Sequence, residues 1–128
     1  MRLLLDTHAL IWWMTDDRSL SDSARRAIAS HRNSVVVSAA SAWEIATKVR
    51  LGRLPIASSF CDDMAEDLEQ AGFGSLAIGV EHGIRAGTLP GPHKDPFDRM
   101  LIAQAQAENL AVVSKDLVFD DYGVRRIW

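Results

Sequence analysis

Four carboxylates stand at breaks in the apolar pattern of this chain, where folding can bring side chains together. Asp6 ends the run Leu3-Leu4-Leu5, Glu44 lies three residues after Ser41, Asp98 three after Asp95, and Asp116 two after Ser114. Acids gathered on one rim without countercharge repel strongly in a partly desolvated cleft. A divalent cation relieves that repulsion, and Mg²⁺ and Mn²⁺ both favour carboxylate and water oxygens. Bound there, such an ion could polarise a substrate oxygen and activate water for hydrolysis. A zinc site is a poor alternative, because Cys61 is the one cysteine and His8, His31, His82 and His93 lack tight ligand spacing.

The elements that must deliver these acids can be read from periodicity and punctuation. Arg2–Leu5 reads as a buried strand and His8–Met14 as a short helix. Ser21 is a good N-cap for a helix to about His31, and Ser34–Ser38, with its three valines, is the clearest strand. Ser41 is expected to begin a helix that ends near Leu51, with Gly52 as its terminator. Phe60, Met64, Leu68 and Ala71 form the apolar stripe of a helix opening at Ser58 or Ser59. A third strand is expected over Leu76–Val80, then a short helix over Glu81–Leu89 and a loop at Gly91–His93. The strongest helix begins at Asp95 and runs to about Asn109. Leu110–Ser114 reads as a strand, Lys115–Tyr122 as a turn or short helix, and Val124–Trp128 as a last strand.

Strands alternating with helices predict an α/β fold around a mostly parallel sheet. Ligands bind such sheets at the carboxyl ends of the strands, near a switch in strand order. Asp6 and Asp116 each follow a strand, and Glu44 and Asp98 each sit near a helix start. All four would therefore reach one rim.

The chain has 128 residues and no repeat or Gly/Ser-rich linker, which predicts a single domain over 1–128. Its 48% hydrophobic content suffices for a core, and one cysteine excludes an internal disulfide and suits a reducing compartment. The N-terminal stretch MRLLLDTHALIWWM is interrupted by Asp6 and His8 and lacks a small-residue cleavage site, so it reads as folded core. No run approaches the about 18 apolar residues of a membrane span, and a cytoplasmic protein without a membrane partner is expected. A net charge of −3, from 14 basic and 17 acidic residues, argues against coating nucleic acid by bulk attraction. It leaves open an enzyme that binds phosphates through a metal and a few local cations.

Each acid also has an ordinary structural explanation. Asp after a strand is common loop chemistry. Asp95 is placed as N-cap, Pro96 as first helical residue and Asp98 as third, so Asp95 already has a role and Asp98 is favoured as ligand. Ser41 and Glu44 match capping-box spacing, and Glu44 with Lys48 makes an i,i+4 pair. The case rests on the four acids together.

The phrases LLLDTHALIWW, SAASAWEIATKVRLGRL, HKDPFDRMLIAQA and VVSKDLVFDDYGV, in that order, resemble the PIN-domain nucleases, and among them the VapC toxins of VapBC toxin–antitoxin pairs. The likeness spans essentially the whole chain. It implies a PIN-like three-layer α/β/α sandwich and a Mg²⁺- or Mn²⁺-dependent endoribonuclease. It further implies that Asp6, Glu44, Asp98 and Asp116 are the catalytic, metal-binding acids. Asp95 belongs to the DPFDR phrase of one branch, and Lys115 beside the fourth acid departs from the pattern. The resemblance also implies a homodimer and a cognate VapB-like antitoxin whose peptide occupies a groove near the site.

In that mechanism Asp6 and Asp98 hold the metal, Glu44 binds a second ion or orients water, and Asp116 completes the shell. Thr7 and Ser114 are polar neighbours that also suit structural hydroxyls near turns. Lys48, Arg50, Arg53, Lys94 and Arg99 are candidates for RNA contact, with exposed helix charge as the plainer explanation, and His93 flanks the same stretch. Trp12, Trp13 and Trp43 read as packing or partner-facing residues before a base-stacking platform. Asp62, Asp63, Glu66, Asp67 and Glu69 form an acidic helix face that would discourage RNA. The competing classes are a non-catalytic RNA- or protein-binding module, indifferent to EDTA, and a phosphatase using Asp6 as nucleophile. The DTH sequence lacks the second Asp two residues on that such phosphatases carry.

Overall fold

A computed structural model of the chain describes all 128 residues. Five strands and seven helices follow in order: β1 (Arg2–Leu5), α1 (Thr7–Met14), α2 (Asp22–Ala29), β2 (Ser34–Ser38), α3 (Ala39–Arg50), α4 (Ser59–Gln70), β3 (Gly74–Leu76), α5 (Val80–Thr88), α6 (Pro96–Glu108), β4 (Ala111–Val113), α7 (Val118–Asp121) and β5 (Arg126–Ile127). The strands form one sheet in the order β3-β2-β1-β4-β5, and every pair is parallel. The sheet is thus parallel throughout, where the sequence predicted a mostly parallel one.

Alternation along the central strands builds two cores. Leu3 and Leu5, Val35 and Val37, and Ala111 and Val113 face one side, packing with Ala9, Leu10, Ile28 and Met64 of α1, α2 and α4. Leu4 and Val112 face the other, against Leu101, Ile102 and Ala105 of α6 and Phe119 of α7. A parallel strand covered by helices on both sides has no wet face, which explains the unbroken apolar run at Leu3–Leu5. The result is three layers.

Strand order reverses at β1, which pairs with β2 on one side and β4 on the other. In register, Leu5 stands beside Val113, so the residues that follow these two strands emerge together at the carboxyl edge. No helix is long and apolar enough to cross a membrane.

Several boundaries differ from expectation, the last strand for one spanning only Arg126–Ile127 and not Val124–Trp128. Helix α3 starts at Ala39 with Ser38 as N-cap, its Oγ accepting from Ala40 N–H at 3.0 Å, so Ser41 lies inside the helix and forms no capping box with Glu44. The third strand is Gly74–Leu76 and not Leu76–Val80. Gly79 instead serves as the N-cap of α5, with its N–H donating to His82 Nδ1 at 3.0 Å, and Val80 opens the helix. Gly72, at φ 79°, supplies the left-handed turn that brings the chain into this short edge strand.

Candidate active site

A cleft of about 440 Å³ opens at the carboxyl ends of β1 and β4 and is lined by Asp6, Thr7, His8, Trp12, Glu44, Lys48, Asp95, Asp98, Lys115 and Asp116. All four predicted acids share it. Each arrives on a different element, and local chemistry fixes each one.

Asp6 leaves β1 as the N-cap of α1. Its Oδ1 accepts from Ala9 N–H at 2.8 Å, and its own N–H donates to Val113 O at 3.1 Å. Its Oδ2 accepts a close hydrogen bond from the buried Ser114 hydroxyl. Ser114 Oγ in turn accepts from Asp116 N–H at 2.9 Å, so one hydroxyl ties the first acid to the fourth. Asp116 Oδ1 accepts from Val118 N–H at 3.0 Å, turning the exposed loop into α7.

Asp95 caps α6 as predicted, its Oδ1 accepting from Phe97 N–H at 2.9 Å and Asp98 N–H at 3.1 Å. Pro96 occupies the first helical position, where a missing N–H costs nothing. Asp98, one turn in, meets His93 Nε2 through Oδ2 at 3.1 Å. Glu44 is buried in α3, and Lys48 Nζ binds its Oε2 at 2.5 Å. Thr7, also buried, donates from Oγ1 to Ser41 Oγ at 3.2 Å and so ties α1 to α3.

Electrostatics mark two of these acids. Burial, with the neighbouring charges of Asp95 and Asp116, pushes the Asp98 carboxyl up to about 6 against the hydrogen bond from His93. Burial also raises Asp6, partly offset by hydrogen bonds from Ser114 and Ala9. Both shifts come chiefly from taking a carboxylate out of water, with neighbouring negative charge adding to the cost.

The donors facing the cleft are carboxylate oxygens with hydroxyls behind them, a set that suits a hard divalent ion such as Mg²⁺ or Mn²⁺. No three His, Cys, Asp or Glu side chains stand at coordinating spacing. Asp6, Glu44 and Asp98 are instead turned toward Ser114, Lys48 and His93, and closing on an ion requires these side chains to rotate.

The candidate RNA-contacting cations part company. Lys48 lines the cleft, but bound to Glu44. Lys94 lines a neighbouring cavity of about 640 Å³ with Pro90, His93 and Tyr122. Arg50 and Arg53 are exposed and outside the cleft lining. Arg99 is committed to the backbone, its guanidinium donating to Ala86 O at 3.0 Å, His93 O at 2.9 Å and Leu89 O at 2.6 Å. Three of its five N–H donors thereby hold the loop that precedes α6.

His8, Trp12 and Lys115 line the cleft although none was selected as a site residue from the sequence. The signal was present: His8 and Trp12 are four apart on α1, hence on one helical face, and their rings lie 5.7 Å apart. Trp43, exposed, packs edge-on against Phe97 at 5.0 Å on the other side of the α6 start.

Comparison with known proteins adds four likenesses. The family model described as the PIN domain matches residues 3–124. Ribonuclease VapC22 of Mycobacterium tuberculosis (strain ATCC 25618 / H37Rv) is 29% identical over 117 residues, which is 89% of this chain and 86% of that protein. Among solved structures, VapBC2 from Rickettsia felis, bound to a DNA fragment from their promoter, aligns with TM-score 0.72 at 15% identity over 98% of this chain and 97% of its own. A toxin–antitoxin complex from Klebsiella pneumoniae aligns with TM-score 0.53 at 14% identity over 90% and 87%. At such identities these two structural likenesses concern the fold.

Proposed function

This chain belongs to the PIN domain family, and from that premise we propose that it is a divalent-metal-dependent endoribonuclease, the toxin of a toxin–antitoxin pair, acting as a single domain over residues 1–128. The observation that carries the activity is the cleft itself. Acids from separate elements line it at the strand-order switch, and two of them are held above their ordinary pKa by burial. The relative named a ribonuclease and the fold shared with a toxin–antitoxin complex support the same reading.

Asp6 and Asp98 would hold Mg²⁺ or Mn²⁺, with Asp116 completing the shell. The ion, when bound, supplies Lewis acidity toward a phosphate oxygen and lowers the pKa of water. Ser114 fixes Asp6 relative to Asp116, and Thr7 fixes α1 relative to α3. Asp95 keeps the first turn of α6 formed, so that Asp98 faces the cleft. Glu44 orients the attacking water from α3. Lys115, with Arg50, Arg53 and Lys94 on flanking surfaces, would attract the RNA backbone.

A VapB-like antitoxin is the proposed protein partner, and the cytoplasm the proposed compartment. A homodimer is proposed as well, because Trp43, Val80 and Ile84 leave large apolar side chains exposed on α3 and α5.

RNA cleavage measured across a Mg²⁺ and Mn²⁺ titration, on wild type and Asp98→Asn in parallel, tests the reading. Cleavage that needs the ion and vanishes in the variant is expected. Cleavage unaffected by EDTA, or equal in both proteins, overturns it.

A further inference from the structure

Glu44 differs from the other acids of the cleft in the kind of partner it has. Asp6 and Asp95 accept from backbone N–H groups and Asp116 from Val118 N–H, all neutral donors. Asp98 meets an imidazole, which carries charge only when protonated. Glu44 alone meets a permanent cation, at 2.5 Å, and Lys48 Nζ is its one hydrogen-bond partner. The carboxylate is buried, its side chain only 6% exposed against 30% for Lys48, so water reaches the pair from the ammonium side alone. Both residues lie on one face of α3 one turn apart, which fixes their spacing through the helix backbone.

A paired carboxylate is a poor ligand for a second divalent ion, because that ion must approach within a few ångströms of an ammonium group. On the far side of the cleft Asp6, Asp98 and Asp116 have no such cation hydrogen-bonded to them. Lys115, which also lines the cleft, is exposed to solvent and is held by no carboxylate. The charge of the site is therefore divided, neutral around Glu44 and strongly negative around the other three.

We propose that Lys48 is a positioning residue, the built-in counter-cation of Glu44, and that it confines divalent-ion binding to one ion on the Asp6, Asp98 and Asp116 side. Glu44 is then held in place by Lys48 to orient water, and Lys48 neither grips RNA phosphate nor serves as a surface helix pair. The inference rests on the nuclease reading above and fixes the number of ions within it.

The test counts Mn²⁺ by the electron paramagnetic resonance signal of the free ion, in EDTA-treated and desalted full-length protein without RNA. Wild type binds one Mn²⁺ per chain, and Glu44→Gln still binds one, with affinity changed by less than about threefold. Lys48→Met, which keeps the apolar stem and removes the charge, binds two. Lys48→Arg restores one, and the double variant Lys48→Met/Glu44→Gln returns to one, which shows that the extra ion sat on Glu44. Should Lys48→Met melt early, Lys48→Gln, which also removes the charge, is counted in its place, with two ions expected and one ion overturning the inference. Two ions in wild type, a tenfold loss of affinity in Glu44→Gln, or one ion in a folded Lys48→Met overturns the inference and leaves the nuclease reading standing. No Mn²⁺ on folded wild type, or binding that Asp98→Asn does not weaken, overturns the nuclease reading itself.

Discussion

Replacing Asp98 by asparagine should stabilise the metal-free protein while abolishing its chemistry. The folded protein holds this carboxyl at about 6 against an ordinary 3.8, which corresponds to about 3 kcal/mol. Burial is the largest cause, followed by the charge of Asp95. The side chain remains 26% exposed, and allowing for that screening leaves about 2–3 kcal/mol. Because the folded pKa is raised, ionised Asp98 opposes folding above pH 6, and the penalty fades as pH falls from about 6 toward 3.8. The amide introduced by Asp98→Asn has no charge to desolvate and can still hydrogen-bond His93. In EDTA at pH 8 the variant should therefore melt roughly 6–12 °C above wild type. At pH 4 the two should nearly coincide. Comparing them at each pH cancels the titration of every other acid. Mn²⁺ at a thousand times its Kd should reverse the order, since it stabilises only the protein that binds it, by about 4.1 kcal/mol. Scanning calorimetry at the two pH values, with and without Mn²⁺, reads all of this. An Asp98→Asn protein less stable than wild type at pH 8, or offset equally at both, refutes the reasoning.

Further outcomes follow from other contacts. Asp6→Asn should lose cleavage yet keep α1 capped, whereas Asp6→Ala should also lose about 1 kcal/mol of stability in urea unfolding, because the cap to Ala9 disappears. Cleavage at limiting metal should rise as pH increases through about 6, where Asp98 ionises, and a flat profile between pH 5 and about 7 contradicts its role. Arg99→Ala should free the loop carrying His93, cost about 2–3 kcal/mol, and speed amide exchange over residues 89–94. Gln104→Ala should cost a similar amount without touching metal binding, since it strips the buried Ser38 hydroxyl of its 2.5 Å partner.

Much of this molecule was legible because its signals are local. Asp95, Pro96 and Asp98 sit at positions of a helix start that residue type alone predicts, and Leu3–Leu5 names a strand covered on both faces. Local rules failed where two serines compete. Ser38 and Ser41 are both good caps, and pairing of β2 with β1 and β3 decided for the one at the strand end. They failed again at Leu76–Val80, where an apolar run with strand propensity was broken by a glycine whose N–H the His82 ring accepts. In the site, the four acids could be found from strand and helix junctions, since the sheet dictates where junctions go. The partner of each was less accessible. Glu44 with Lys48 is an i,i+4 pair and so was visible, but its burial in the cleft was not. Arg99 reaches carbonyls of Ala86, Leu89 and His93 that only the turn between α5 and α6 brings near, so no sequence pattern could have assigned it.

The hydroxyl of Ser114 reaches back across 108 positions to grasp Asp6. During synthesis Asp6 leaves the ribosome well before Asp98, Ser114 and Asp116. Until β4 slots in beside β1, the growing chain carries scattered acids and no common cleft to hold them.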